Sequence, residues 1–290
     1  MRNEIIKNFK EELEKYEELK GKVLIEKVLK NNDTELTSVR IMEKEKIIPV
    51  IYIDDLIDKI LNQEITLKEG IENYIHTYEN ACNVDKIRNL KEVFSQYSNY
   101  NSVKDKIIPC LINKRMNQKR LEDYTHFEIL DLAVIFKIII DENEEGISTA
   151  TVTNKMLKDW KIDKDTIYKD AIRNIEKEEV VFSPLDLMIK EMTGMELEEE
   201  KIPLFILTAS NKNCGAAVIL RNDVKEMIKE SFGNAYIIPS SIHELLIVPY
   251  EENREEELTN MVREVNQSAV MNQNILSDHV YKFISGELSL

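Results

Sequence analysis

LFILTASNKNCGAAVILRNDVKEMIKESFGNAYIIPSSIHELLIVPYEENREEELTNMVREV, residues 204–265, is the stretch whose reading decides the fold class. It predicts hairpin, helix, hairpin, helix. Residues 204–208 and 216–220 are short apolar runs on either side of the turn-rich 209–215, as two arms of a hairpin would be. Asp223 and Glu226 have the spacing of a capping box, Val224, Met227 and Ile228 fall on one helical side, and Gly233 supplies the stop. Residues 235–239 and 245–249 form a second strand-like pair around 240–244. Leu258, Met261, Val262 and Val265 then recur at i, i+3, i+4, i+7, the stripe of an amphipathic helix. Two such stripes need an apolar surface to bury, so the expectation is one sheet with both helices on a single face.

Toward the N-terminus, residues 1–20 carry Ile6, Phe9, Leu13 and Tyr16 along one helical side, and Gly21 ends them. Residues 22–29 and 34–42 alternate like strands about Asn31-Asn32-Asp33, a good turn sequence. A third strand is expected over 47–53, at an edge or a bulge because of Pro49. Asp54 or Asp55 is expected to cap a helix with Ile57 and Ile60, and Thr66 with Glu69 to form a capping box for another, with Ile71 and Tyr74. The polar 86–106 reads as helix and then loop, which sets a boundary: 1–100 as a helix, three-strand, helix region, and 101–290 as an α+β domain.

Within the second part, 107–112 is strand-like and 129–140 is the most continuous apolar run. Its β-branched residues favour a buried strand, while Thr125 and Glu128 have the spacing of a capping box, so strand and helix both stand. Met156, Leu157 and Trp160 sit on a short helix, Asp163 caps one with Ile167, Ala171 and Ile175, and Ser183-Pro184 opens another. Residues 276–281 start a terminal strand. The fold class is α+β, with mainly antiparallel sheets built from hairpins and interspersed amphipathic helices.

A chain of 290 residues, 43% hydrophobic and 32% charged, has a globular mix and the length for real cores. Its seven scattered glycines give no phosphate-binding loop, and H-E-x-x-H, C-x-x-C and G-x-S-x-G are missing, which excludes the standard nucleotide, zinc-protease and α/β-hydrolase readings. The longest apolar run, 133–140, is broken by Lys137 and is far too short to span a membrane. Met1-Arg2-Asn3-Glu4 leads into an acidic-basic helical pattern, so no signal-peptide apolar region is expected there. Cys82, Cys110 and Cys214 are odd in number and widely spaced, with neither a disulfide framework nor metal-ligand spacing, and place the protein in a reducing cytoplasm. A net charge of −15 repels phosphate, so direct nucleic-acid binding is not expected, and it fits either solubility or docking on a basic partner.

Several stretches together resemble a bacterial family known as domain of unknown function 5688: IPVIY at 48–52, Leu111-Ile112-Asn113 with Asn117, Leu130-Asp131-Leu132-Ala133, and Val152-Thr153-Asn154 with Leu157 and Trp160. Gly215-Ala216-Ala217, PSSIHE at 239–244, VREVN at 262–266 and LSDHVY at 276–281 continue the resemblance in the family's order. The chain departs by placing Cys214 before Gly215, where small or polar residues are usual. The resemblance supports the fold reading and supplies no activity, cofactor or catalytic residue.

The polar cluster Ser240, Ser241, His243, Glu244, Asp278 and His279 holds the candidate site residues. Ser241, His243 and Asp278 are the types needed for nucleophilic hydrolysis, a hydroxyl beside an imidazole oriented by a carboxylate. The alternative is structural: the serines cap a tight turn, and His243 and His279 tie the last strand to the 239–249 hairpin. His243, Glu244, Asp278 and His279 also have metal-binding side chains, but without diagnostic spacing, and neither metal nor cofactor is expected. Cys214 sits in a loop beside Lys212, where it is either a thiol activated by a cation or a small loop residue. The basic run 113–120 fits an acidic partner, a phosphate or a solvated face, without aromatic interleaving for base stacking. The expected function is a binding or regulatory module working through protein–protein contacts, with a partner that presents a basic surface. The alternatives are an acidic inhibitor from a mobile element or phage that docks on a nucleic-acid-binding surface, and a hydrolase-like enzyme using the C-terminal cluster.

Overall fold

A computed structural model describes residues 1–42, 49–82, 99–143, 146–193, 203–211 and 213–290. The chain forms two compact units, 1–30 with 34–96, and 31–33 with 97–290.

In the first unit, helix α1 (Arg2–Leu13), strands β1 (Val23–Leu29), β2 (Glu35–Ile41) and β3 (Ile51–Tyr52), and helices α2 (Asp54–Leu61) and α3 (Leu67–Cys82) follow in order. The strands make an antiparallel sheet in the order β1-β2-β3. Phe9, Leu13, Val39, Ile57, Ile71 and Tyr74 pack into its core. The Thr66 capping box forms: Glu69 Oε2 accepts from the Thr66 amide at 2.7 Å, and Thr66 Oγ1 from the Glu69 amide at 3.2 Å. Asp54 does not cap α2. Its carboxylate accepts from the Thr37 amide at 2.6 Å and from Arg2 at 2.7 Å, pairing being the stronger use of the charge. The third strand is short, and Ile47 and Ile48 lie outside the described residues, as does 86–98 of the expected helix and loop.

The second unit opens with α4 (Tyr100–Val103) and contains two sheets. Strands β4 (Ile107–Asn113), β5 (His126–Ile129), β6 (Leu132–Asn143) and β7 (Gly146–Thr151) pair around β6, with α5 (Gln118–Leu121) between β4 and β5. The apolar run is therefore strand from Leu132 onward, with Ile129 ending the strand before it. Leu130, with φ of 54°, and Asp131 turn β5 into β6, and Thr125–Glu128 lies at the hairpin arm, not at a helix start. Helices α6 (Asn154–Trp160) and α7 (Lys164–Ile175) follow, the latter capped by Asp163 Oδ1 accepting from the Thr166 amide at 2.7 Å.

The other sheet comprises β8 (Val180–Pro184), β9 (Phe205–Ala209), β10 (Ala235–Ile238), β11 (Leu245–Pro249), β12 (Tyr281–Ile284) and β13 (Glu287–Ser289). Its order is β13-β12-β10-β11-β9-β8, antiparallel at every pairing. Helices α8 (Leu185–Thr193), α9 (Asn222–Phe232) and α10 (Glu255–Ser268) connect its strands. Ser183 and Pro184 end β8, and the helix starts one residue later. The expected terminal strand is present as β12, with β13 beyond it.

Three expectations over 204–265 are corrected. Residues 215–220 coil as a 3-10 turn and not as a strand, and β9 pairs with β8 and β11. The chain enters that turn through Gly215, where a Cβ would stand 2.1 Å from Thr208 Oγ1 and 2.3 Å from the His243 carbonyl. The coil buries Ala216, Ala217, Val218 and Ile219 in succession, where a one-sided strand buries alternate residues. Next, α9 and α10 lie on opposite faces of the sheet. Val224 and Ile228 pack with Ala235 and Ile237, whereas Leu258 and Val262 pack with Tyr236 and Ile238. Alternate residues of β10 point to opposite faces, and both faces are apolar, so each helix has its own surface. Finally, the Asp223 capping box does not form. The helix is entered at Arg221 with no side-chain cap, and Arg221 Nε and Nη2 donate to Asp223 at 3.0 and 2.6 Å. Gly233, at φ +71°, does end α9. Among the described residues no helix is long and apolar enough to cross a membrane.

Candidate functional site

Polar side chains of the second unit converge on residues 272–281, the segment that leads into β12. Asn32, at φ 59°, donates from Nδ2 to the carbonyls of Asn272 at 2.6 Å and Ile275 at 2.7 Å. Asn113, at the end of β4, donates to the Leu276 carbonyl at 3.1 Å. Asn266, in the last turns of α10, donates to the Ser277 carbonyl and to Asp278 Oδ1, both at 3.0 Å. Asn117 binds Asn32 and Asn113 together: it donates to Asn32 Oδ1 and the Asn113 carbonyl, each at 2.8 Å, and accepts from the Asn32 amide. From the β5–β6 turn, Asp131 accepts from Ser277 Oγ at 2.6 Å and the Tyr281 hydroxyl at 2.7 Å, with His279 Nδ1 at 3.5 Å. Burial, reinforced by the Asp131 charge, pushes the Tyr281 hydroxyl far up, so it stays a donor. These groups are buried or half-buried and hydrogen-bonded, which is the condition under which burying them costs little.

The residues singled out from sequence are placed as follows. Ser241 Oγ accepts from the His243 amide at 3.1 Å, Ser240 Oγ donates to Glu244 Oε1 at 3.2 Å, and the His243 carbonyl accepts from Thr208 Oγ1 at 2.7 Å. Ser240, Ser241, His243 and Glu244 thus shape the turn between β10 and β11. Asp278 is held by Asn266 and faces Arg115 at 4.0 Å. His279 faces Asp131, so its tie runs to the β5–β6 turn and not to the 239–249 hairpin. Among the described residues no group of three His, Cys, Asp or Glu side chains is arranged to hold a metal ion. The basic run is divided: Lys114 pairs with Glu128, the Arg120 guanidinium lies over the Tyr124 ring, and Asn113 and Asn117 are buried.

Cys214 is a loop residue, but a buried one (1 % exposed) at φ 52°. It packs with Cys110 of β4, Ile112, Ala133 and Ile135, and the cation beside it is Lys137 of β6. Lys212 lies outside the described residues. The hydrogen bond from Cys110, with the Lys137 charge, brings the Cys214 thiol down to about 6, against the opposing effect of burial. That same hydrogen bond and burial push Cys110 well up, and the negative charge on the thiol pair raises the Lys137 ammonium.

Sequence reasoning missed Asp131, Asn266, Ser277, Tyr281 and the pairing of Cys110 with Lys137. The stretches carrying the family resemblance do contain Asn113, Asn117, Asp131, Asn266, Ser277 and Tyr281. Lys137 showed itself only as the interruption of the most apolar run.

The class defined by this fold is an α+β protein of antiparallel sheets, in which buried asparagines and one aspartate brace a C-terminal segment. Within that class, the chain belongs to the family of unknown function DUF5688, whose model matches residues 2–285. No curated protein and no solved structure matches it.

Proposed function

We propose that the protein works by binding another protein, with α10 as the contact element and a partner whose apolar groove has a basic rim. The observation that carries this reading is the exposure of Met261 (41 %) and Val265 (46 %), one turn apart on α10. The helix buries Leu258 and Val262 against the sheet and keeps the rest of its apolar stripe in water. Glu255, Glu256, Glu257 and Glu264 accompany that pair on the same helix. An acidic amphipathic helix with an i, i+4 apolar pair suits a helix-in-groove contact, and methionine adapts to an irregular surface. The net charge of −15 favours encounter with a basic partner. The use of Ser241, Asp278 and His279 as turn and bracing residues supports binding over hydrolysis. The free thiols Cys110 and Cys214 support a reducing compartment such as the cytoplasm.

The test is a photo-crosslinking residue at position 261 in cells that express the protein natively. One captured protein is expected, lost when Val265 is replaced by Asp, and its purified complex should weaken as salt rises. Capture unaffected by Val265→Asp, or an ester- or peptide-hydrolysing activity abolished by Ser241→Ala, would overturn the reading. If nucleic acid competes with the protein for the captured partner, the acidic-inhibitor form of the same reading is the one that holds.

A further inference from the structure

Strand register places two thiols and an amine on one sheet face. Cys110 of β4 stands opposite Ile135 of β6, and Ile108 opposite Lys137. Lys137 is therefore the diagonal neighbour of Cys110 on the same face, within reach of a long side chain. On β4 and β6 the residues beside this pair are apolar, Ile112, Ala133 and Ile135 packing with Cys110, while β5 and β7 set His126, Glu128 and Thr151 opposite Ile135, Ala133 and Lys137. Cys214 covers it. The left-handed backbone of Cys214 and the forced approach of Gly215 to Thr208 and His243 set its direction, and its side chain enters the cluster 1 % exposed.

An ammonium packed beside buried side chains calls for a counter-charge. Among the described residues Lys137 has no carboxylate partner, and the groups facing it are the two thiols. A partly buried cation beside a thiol pair stabilises one thiolate, and a thiolate with a second thiol at hand is the arrangement of a sensing and a resolving cysteine. Cys82, the third cysteine, is exposed and belongs to the first unit.

We infer that Cys110 and Cys214 are a dithiol that hydrogen peroxide converts to an intramolecular disulfide, with Lys137 as the positioning cation for the reacting thiolate. In the first step the Cys214 thiolate attacks one peroxide oxygen. The S–O bond forms, the O–O bond breaks, and the leaving hydroxide takes a proton from the Lys137 ammonium to become water. In the second step Cys110 attacks the Cys214 sulfenic sulfur. The S–S bond forms, the S–O bond breaks, and the Cys110 proton leaves with the hydroxyl as a second water. Lys137 regains its proton from solvent, two electrons have passed from the thiols to peroxide, and a small dithiol reverses the bond by exchange. Such a bond is a transient, regulatory one in a reducing compartment. The inference is independent of the α10 contact.

The experiment exposes the purified full-length protein to hydrogen peroxide under native conditions, then maps alkylated peptides by mass spectrometry. A Cys110–Cys214 crosslinked peptide lighter by two hydrogens is expected, with Cys82 still alkylated and the bond reversed by dithiothreitol. Lys137→Gln should slow its formation at least about tenfold, because the thiolate fraction falls. Cys110→Ala should leave Cys214 as a sulfenic acid that a dimedone probe traps. Circular dichroism confirms that each variant is folded. The inference is overturned if Cys214 goes to sulfinic acid without a crosslink, or if the crosslink forms no faster than the protein unfolds. It is overturned equally if Lys137→Gln leaves the rate unchanged.

Discussion

Two polar clusters share the β4–β6 strand pair, three residues apart on β4. At one end, Asn113 and the neighbouring Asp131 hold residues 272–281. Further along, Cys110 and Lys137 face Cys214. In the first cluster Asp131 is met by two hydroxyls, and each asparagine amide has a carbonyl or carboxylate to donate to. In the second, the ionisable groups that answer an ammonium among the described residues are thiols. The difference teaches how to tell bracing from chemistry. Hydrogen-bonded polar groups hold a segment in place, whereas a charge whose only partners are ionisable nucleophiles changes their reactivity.

The largest expected effect tests what both clusters rest on. Gly215→Ala would put a Cβ against Thr208 Oγ1 and the His243 carbonyl, which are already bonded to each other at 2.7 Å. Loss of more than about 4 kcal/mol is expected, the range of severe packing defects. Thermal melting should show the second unit unfolded or non-cooperative. An alanine variant that melts like its parent would mean that Cys214 is not held inward by this approach.

Asp131→Ala attacks the bracing cluster. It strands the Ser277 and Tyr281 hydroxyls, and at about 1–3 kcal/mol for each unsatisfied donor the cost should be about 3 kcal/mol. That corresponds to a fall in Tm of about 6–12 °C for a unit of this size. Tyr281→Phe should cost about 1 kcal/mol, since it removes one donor and leaves Asp131 its other partners. Equal, negligible effects from both would reduce the cluster to a surface contact.

Lys137→Met should cost up to about 1 kcal/mol at pH 7, the stability that the lowered Cys214 thiol contributes there, and nothing well below pH 6, where the thiol is uncharged. The same change should raise the Cys214 thiol from about 6 toward its ordinary value of 9.0, read as thiolate absorbance against pH. A thiol held below its ordinary value adds stability that is complete above pH 9.0 and is lost as pH falls through about 6. The parent should therefore lose stability across that window on acidification, and Lys137→Met should lose less, the hydrogen bond from Cys110 being left in place. If both variants show the same slope, the cation and the thiol are uncoupled.

The smallest effect is expected at His279. Its imidazole is about half exposed and 3.5 Å from Asp131, so His279→Ala should cost less than about 1 kcal/mol. A larger loss would show that the imidazole is part of the bracing, and would bring His279 level with Tyr281.

The sequence by itself determined what depends on neighbours within a turn or two. Thr66 with Glu69 and Asp163 with Thr166 cap their helices by hydrogen bonds three residues long, so the signal and the structure share one scale. Gly233 ends α9, the strands of 22–42 pair antiparallel, and 276–281 leads into a terminal strand for similar local reasons. Asp223 shows the limit of that scale, because the helix is entered at Arg221, with which Asp223 pairs. Only the tertiary structure decided that α9 and α10 take opposite faces of one sheet, since β10 is apolar on both sides and its composition names neither. Only it joined Asp131 to Tyr281 across 150 positions, and Lys137 to Cys110 across the β4–β6 register. Such partners are set by which strands pair and in what register, and a one-residue slip would have turned Lys137 and Cys110 to different faces.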